Sequence, residues 1–114
     1  MTNVVMLHGH LSSEPRAVTL DSAATLIRYE VTVRRPDDRA DSVPVAWFVE
    51  PDATAPELAT GDPVVVVGRI HRRFWQTQSG ATASSTEVQA QSVERGEEKA
   101  VVAAAKKRAK AMIT

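Results

Sequence analysis

The chain has 114 residues with 14 basic and 14 acidic side chains, so its formal net charge is zero, and it contains no cysteine. This length suits one small domain with some extension. The absence of cysteine excludes disulfides, cysteine-ligated zinc and a thiol nucleophile. No apolar run is long enough to cross a membrane, and the opening residues lack a secretion-signal pattern. We therefore expect a cytoplasmic protein without membrane contact.

Charge is unevenly distributed along the chain. Residues 1–93 carry eight basic and 11 acidic side chains, whereas residues 94–114 carry six basic and three acidic ones. A slightly acidic body is therefore followed by a basic tail. We predict a domain over residues 1–93 and a separate tail over residues 94–114.

Alternating apolar and polar residues predict strands in the first half of the chain. In residues 25–33, the side chains of Ile27, Tyr29 and Val31 point one way, and the polar side chains between them point the other way. Residues 14–20 lead to a polar turn at 21–24. The predicted strands of this half cover residues 3–11, where Gly9 suggests a bend, 25–33, and 43–49, with a charged loop at 34–42.

The second half is predicted to contain two more strands and a short helix. Residues 50–61 fit a short helix, since Pro56 suits a first helical turn and Gly61 a C-terminal cap. A long strand follows over 62–75, and the last strand covers 85–93 after a polar hairpin loop.

Five bent strands in about 90 residues, with a helix between the third and the fourth, predict an all-β fold. The best match is the five-stranded oligonucleotide/oligosaccharide-binding (OB) barrel. A β-sandwich is the rival, but it usually has about seven strands.

The tail is predicted to form a helix. Acidic residues at its start and basic residues near its end suit the helix dipole. One face carries small and apolar side chains, namely Val101, Val102, Ala105, Ala109, Met112 and Ile113. Three roles remain open for this tail: phosphate contacts, docking on a neighbouring subunit, and a solvated, fraying terminus.

The segment 69–75 combines basic and aromatic side chains. A period of two places Arg69, His71, Arg73 and Trp75 on one side of the strand. Cations for phosphates and a flat ring for a base are the components that hold a single nucleic-acid strand without reading its sequence. Phe74 lies on the other side, where it either closes the end of the barrel or stacks on a base.

Several segments together resemble the bacterial single-stranded DNA-binding proteins. The stretch "NVVMLHGHLSSEPRAVTL" resembles that family's opening strand, and "LIRYEVTV" resembles its second long strand. The most specific likeness is "LATGDPVVVVGRIHRRFWQTQSG" followed by "SSTEVQAQSV". The order and spacing of these elements carry the resemblance, which covers most of residues 3–93.

The resemblance implies an OB fold that binds single-stranded DNA in a sequence-tolerant way, in replication, repair or recombination. It also implies a homo-oligomer, a tetramer or a dimer, at the nucleoid. Trp47 falls where the family carries a stacking aromatic, although it shares a side with Val43 and Val45, so a core role stays open. The predicted stacking residues are Trp75, Trp47, Phe48 and Phe74. The predicted phosphate contacts are Arg28, Arg34, Arg35, Arg69, His71, Arg72 and Arg73.

The chain also departs from the family's pattern. The loop 34–42 lacks the usual tryptophan, and Asp41 and Ser42 stand where the third strand usually carries another. The acidic C-terminal tip through which the family recruits other proteins is absent. These differences indicate a shortened paralogue that binds more weakly than the family norm.

Two other functions fit the same sequence features. A protein-interaction module of a replication or restart complex and a single-stranded RNA binder remain alternatives. His8, His10 and His71 could hold a metal, and Asp37, Asp38 and Asp41 a cation, but surface histidines and a solvated loop are the simpler interpretations. No nucleophile–base set or phosphate-binding glycine loop occurs, so we expect no enzyme activity, no metal and no cofactor.

Overall fold

A computed structural model describes residues 1–96 and 98–113. Each predicted strand is present, and most extend further than the sequence pattern indicated. Residues 14–20, which lead to the predicted turn, contain a short strand of their own. The elements in chain order are β1 (Val5–Leu11), β2 (Arg16–Thr19), β3 (Thr25–Arg34), β4 (Ala40–Val49), β5 (Pro63–Gln76), β6 (Thr82–Arg95) and α1 (Lys99–Ala111).

Five strands form a closed ring. The sheet order is β1-β5-β6-β4-β3-β2, and β1 also pairs with β3, which closes the ring through His10 opposite Thr32. All pairings are antiparallel except that of β4 with β6 at Val45 and Val88. Within the described residues, the short strand β2 pairs with β3 alone. A single sheet that closes on itself is consistent with the OB fold and not with two stacked sheets.

The inward-facing residues of the ring form the main core. Leu11, Val31, Val64 and Val66 are fully buried there, and the same cluster includes Tyr29. Burying one such aliphatic side chain contributes about 1.5–3 kcal/mol. Burial also raises the pKa of the Tyr29 phenol to about 12. The predicted alternation of β3 is thereby confirmed, since Ile27, Tyr29 and Val31 all belong to this core.

Gly9 and Gly68 stand where two backbones approach each other closely. A β-bulge lies at Val67/Gly68, and a side chain at Gly68 would clash with the carbonyl oxygen of Gln89. At Gly9 a side chain would clash with the carbonyl oxygen of Thr32, beside the closing pair of β1 and β3. Gly68 therefore belongs to a bulge, and Gly9, where a bend was expected, permits close contact between strands.

The short helix expected in residues 50–61 is not formed, and that prediction is wrong. The segment contains turns, with the Ala53 amide bonded to the Glu50 carbonyl at 3.0 Å. Side chains satisfy other amides, since the Asp62 carboxylate accepts from the Ala59 amide at 2.8 Å and the Glu14 carboxylate accepts from the Thr60 amide at 3.0 Å. Two prolines in so short a segment and these competing acceptors outweigh a helix that would be marginal in isolation.

The helix α1 packs on its own ring. Ala105 is completely buried in a second cluster with Val65 and Val67 of β5. Met6 of β1 joins this cluster, as do Val102, Ala109 and Met112 of α1. The predicted face is therefore used in part, while Ile113 is exposed. A fraying terminus was one of the expected roles, and it does not fit this docked helix. The predicted helix start included Glu97, which lies outside the described residues.

Candidate nucleic-acid interface

The strands β5 and β6 continue beyond the ring as a two-stranded hairpin. Their pairing runs without interruption from Gly68 opposite Ala90 to Gln76 opposite Thr82. The side chain of Asn3 makes two 2.9 Å hydrogen bonds to the backbone of Ile70, at the point where the hairpin leaves β1. Beyond this point most β5 side chains are exposed. The basic and aromatic segment is therefore displayed by the projecting hairpin.

Each side of the hairpin presents an arginine next to an aromatic ring. On one side, the guanidinium of Arg73 lies 5.0 Å from the centre of the Trp75 ring. On the other side, Arg72 lies 5.0 Å from the centre of the Phe74 ring and donates a 2.9 Å hydrogen bond to Ser84. Both distances suit cation–π contacts.

Phe74 does not close the end of the ring. Its side chain is 61% exposed, because β5 has already left the ring at this position. The alternative in which Phe74 belongs to the core is therefore wrong. Trp75 is 43% exposed, so both rings present surface to a ligand.

A row of outward-facing residues connects the hairpin to the other strands. Arg28 pairs with Ala46, Ala46 with Gln89, and Gln89 with Arg69. Directly paired residues point to the same face of a sheet. Three strand spacings separate Arg28 from Arg69, which amounts to about 14 Å. Two predicted phosphate contacts from distant parts of the sequence therefore lie on one face.

Glu87 lies within this face and was not recognised from the sequence. It is only 5% exposed, and its Oε2 accepts a 3.1 Å hydrogen bond from Arg28. Its partner across the hairpin is His71. The alternation of β6 could have revealed it, because Glu87 and Gln89 flank the core residue Val88 and must both point outward.

A row of apolar side chains lies beside the row that runs from Arg28 to Arg69. Val18 pairs with Leu26, and Leu26 pairs with Phe48, so the three side chains share the outward face of β2, β3 and β4. Val18 and Phe48 are 58% and 50% exposed. Trp47 points the opposite way and packs against the main core. Of the two adjacent aromatics predicted to stack, Phe48 is thus the one on the outward face.

Arg34 and Arg35 lie at the far end of the β3–β4 hairpin. Arg34 is six residues along β3 from Arg28, which corresponds to roughly 20 Å. Both arginines are close to acidic side chains of the same loop, with Arg34 3.3 Å from Asp38 and Arg35 3.7 Å from Asp37. These ion pairs are exposed, so they hold the arginines only weakly.

The three histidines do not form a metal site. His8 lies opposite Val65, and His71 is six residues further along β5, roughly 20 Å away. Within residues 1–96 and 98–113, no three metal-ligating side chains are grouped so as to hold an ion. The only helix in the described part of the chain is too short and too polar to span a membrane.

A comparison with protein families shows which family this chain belongs to. The model of the single-strand binding protein family matches residues 2–95. The chain belongs to this family. The match covers the ring and the β5–β6 hairpin and ends before α1. A search of curated proteins finds no match.

Membership in the single-strand binding protein family implies that the chain binds single-stranded DNA. Proteins of this family bind nucleic acid without transforming it, and they typically form oligomers. The resemblance noted in the sequence is therefore confirmed. The outward face and the hairpin are the surfaces of this chain on which basic and aromatic side chains meet.

Proposed function

We propose that this protein binds single-stranded DNA without sequence preference, by stacking bases on exposed aromatic rings and pairing phosphates with arginines. The observation that supports this most directly is the pair of cation–aromatic contacts on the β5–β6 hairpin, Arg73 with Trp75 and Arg72 with Phe74. An aromatic platform beside a cation is the combination that holds a single strand in a sequence-tolerant manner.

The proposed path of the DNA runs from the hairpin across the outward face. Trp75 and Phe74 stack bases on the hairpin, and Phe48 stacks a base on β4. The phosphates contact Arg69, His71, Arg72, Arg73 and Arg28. Stacking on rings and pairing with phosphates do not read base edges, so base identity should have little effect on binding. We assign Trp47 to core packing, and we give Arg34 and Arg35 a secondary role because they are distant and paired.

The first experiment is a titration of tryptophan fluorescence with a thymidine oligonucleotide, at low and at high salt. Only Trp47 and Trp75 emit. Binding at Trp75 should quench the emission, and Trp75→Ala should abolish most of this quenching. Affinity should fall with salt by a logarithmic slope of about −0.7 per phosphate contact. If the wild-type emission is unchanged at low salt, the stacking proposal is wrong.

Two other ligands are tested in the same way. A single-stranded RNA of equal length should also bind, because stacking and phosphate contacts do not depend on the 2′-hydroxyl. A tenfold preference for RNA would favour the RNA-binding alternative. Binding of neither nucleic acid would favour a protein-interaction module of a replication or restart complex.

In the cell, we propose a role wherever single strands are exposed, in DNA replication, repair or recombination at the nucleoid. We also propose that the protein acts as a homo-oligomer, a tetramer or a dimer, as family membership suggests. Light scattering coupled to gel filtration measures this directly. A mass of one chain at every concentration would contradict the proposed oligomer.

A further inference from the structure

All four lysines of the chain lie in α1. Lys99, Lys106 and Lys110 are seven and four residues apart, so they share one flank of the helix. Lys107 follows Lys106 by one residue, about 100° further around the helix, and faces away from the ring. None of the four lysines has an ion pair among the residues that the structure describes. Their charges are therefore available to a partner.

The shared lysine flank borders a groove between α1 and β1. The groove has a volume of about 380 Å³, and His8, Lys99 and Lys106 lie along it together with Val102. Glu98 is the acidic side chain at its edge. Arg108 points to the opposite flank and pairs with Glu94 at 2.8 Å. The free positive charge of α1 is thus concentrated on the side of β1.

The position of α1 places it next to the start of the β5–β6 hairpin. His8, beside the first turns of α1, pairs with Val65, and Met6 pairs with Val67. Ala109 and Met112 pack in the same cluster as Met6, Val65 and Val67, so α1 lies over β1 and β5. Arg69 is the next outward residue of β5 after Val67, about 7 Å along the strand. The apolar face of α1 therefore packs on the outward residues of β5 that directly precede Arg69.

We infer that Lys99, Lys106 and Lys110 form a second phosphate-binding surface, which extends the path of single-stranded DNA from Arg69 onto α1. Lysine is a mobile point charge that suits backbone phosphates without fixing their geometry. A helix of 13 residues spans about 20 Å, so this surface has room for several phosphates. The inference rests on the proposed function, but α1 lies outside the region that matches the family.

Lysine acetylation followed by mass spectrometry tests this surface directly. The protein is labelled with and without a thymidine oligonucleotide of about 35 nucleotides, while tryptophan quenching reports binding at the hairpin in the same sample. Lys106 and Lys110 should become protected by the DNA, and Lys107 should stay reactive as the internal control. If quenching occurs and all four lysines remain equally reactive, the inference is overturned while the proposed function stands. If no quenching occurs, the proposed function fails first.

A matched pair of variants provides the second measurement. The double variant Lys106→Gln/Lys110→Gln should reduce the salt slope by about 1.4 for the long oligonucleotide, because two phosphate contacts are lost. It should leave the affinity for an oligonucleotide of about eight nucleotides unchanged, since the hairpin alone can hold that length. Lys107→Gln removes the same kind of charge from the outer side of α1. It should leave both the salt slope for the long oligonucleotide and the affinity for the short one unchanged. A loss of salt slope in Lys107→Gln that is as large per charge as in the double variant would show a general charge effect and would overturn the inference.

Discussion

The guanidinium of Arg28 lies 3.1 Å from the carboxylate of Glu87, on the face proposed to bind DNA. Arg28 is 42% exposed at its side chain and Glu87 only 6%. The carboxylate of Glu87 is therefore shielded from solvent, whereas the guanidinium of Arg28 remains accessible to solvent. One of the predicted phosphate contacts is thus already partly neutralised by the protein.

Replacement of Glu87 by Gln should strengthen DNA binding and weaken the fold. The buried carboxylate no longer offsets Arg28, so the salt slope should steepen by up to about 0.7. The lost charge-assisted hydrogen bond should lower the free energy of unfolding by about 1–3 kcal/mol. Fluorescence titration and urea denaturation measure the two effects. In the control Arg28→Gln, affinity should fall; equal binding by both variants and wild type would show that Arg28 does not meet DNA.

The adjacent aromatics Trp47 and Phe48 should respond differently to truncation. Phe48→Ala removes an exposed ring and should weaken DNA binding by about 1–3 kcal/mol with little change in stability. Trp47→Ala removes a ring that packs on the core and should lower the free energy of unfolding by about 3 kcal/mol. Thermal denaturation and oligonucleotide titration distinguish them. A stable Trp47→Ala variant with impaired binding would reverse this assignment.

Gly68→Ala should destabilise the protein at the β-bulge. The new methyl group would meet the backbone of Gln89 and Ala90, which cannot move aside as a side chain can. We expect a loss of about 1–3 kcal/mol in urea denaturation. Gly80→Ala is the comparison. No atom lies near the position of a new methyl group there, so the only cost is the strain of an alanine at a positive φ of 85°. A larger loss at Gly80 than at Gly68 would refute the packing argument.

The connection formed by residues 50–62 should become less stable in acid. A hydrogen bond from the Ala59 amide, and then the hydrogen bond from Arg95, holds the pKa of Asp62 below its ordinary value. A lowered folded-state pKa means that the stabilisation is complete above the unfolded-state value near pH 4 and is lost as pH falls through the folded value. Asp62→Asn should therefore flatten the stability–pH curve below about pH 4. Parallel curves for variant and wild type would exclude this role.

A charge at Ala105 should release α1 from the ring. Ala105 is fully buried between α1 and β5, and an unpaired carboxylate there costs several kcal/mol. In Ala105→Asp, amide exchange over residues 99–111 should become fast, while β3 and β4 stay protected. Ala103→Asp, on an exposed position of the same helix, controls for helix propensity. Retained protection in Ala105→Asp would contradict the docking.

The alternation of residues carried most of the fold prediction. It placed Ile27, Tyr29 and Val31 in the core, and it placed Arg69, Arg73 and Trp75 on one side of β5. The helix predicted for residues 50–61 from Pro56 and Gly61 was wrong, because helix propensity in a short segment competes with acceptors such as Glu14, which come from elsewhere in the chain. The sequence left the role of Trp47 open, because alternation put Trp47 on the side of Val43 and Val45 while the family resemblance put a stacking aromatic at the same position.

The sequence by itself determined the strands, the basic and aromatic segment, and the likeness to single-strand binding proteins, because these depend on local periodicity and on the order of motifs. Tertiary structure alone decided which distant residues share a face. The parallel pairing of β4 with β6 brings Arg28 into line with Arg69, and the pairing of β1 with β5 provides the surface on which α1 docks. These relationships arise from contacts between residues far apart in the chain, which no local pattern encodes.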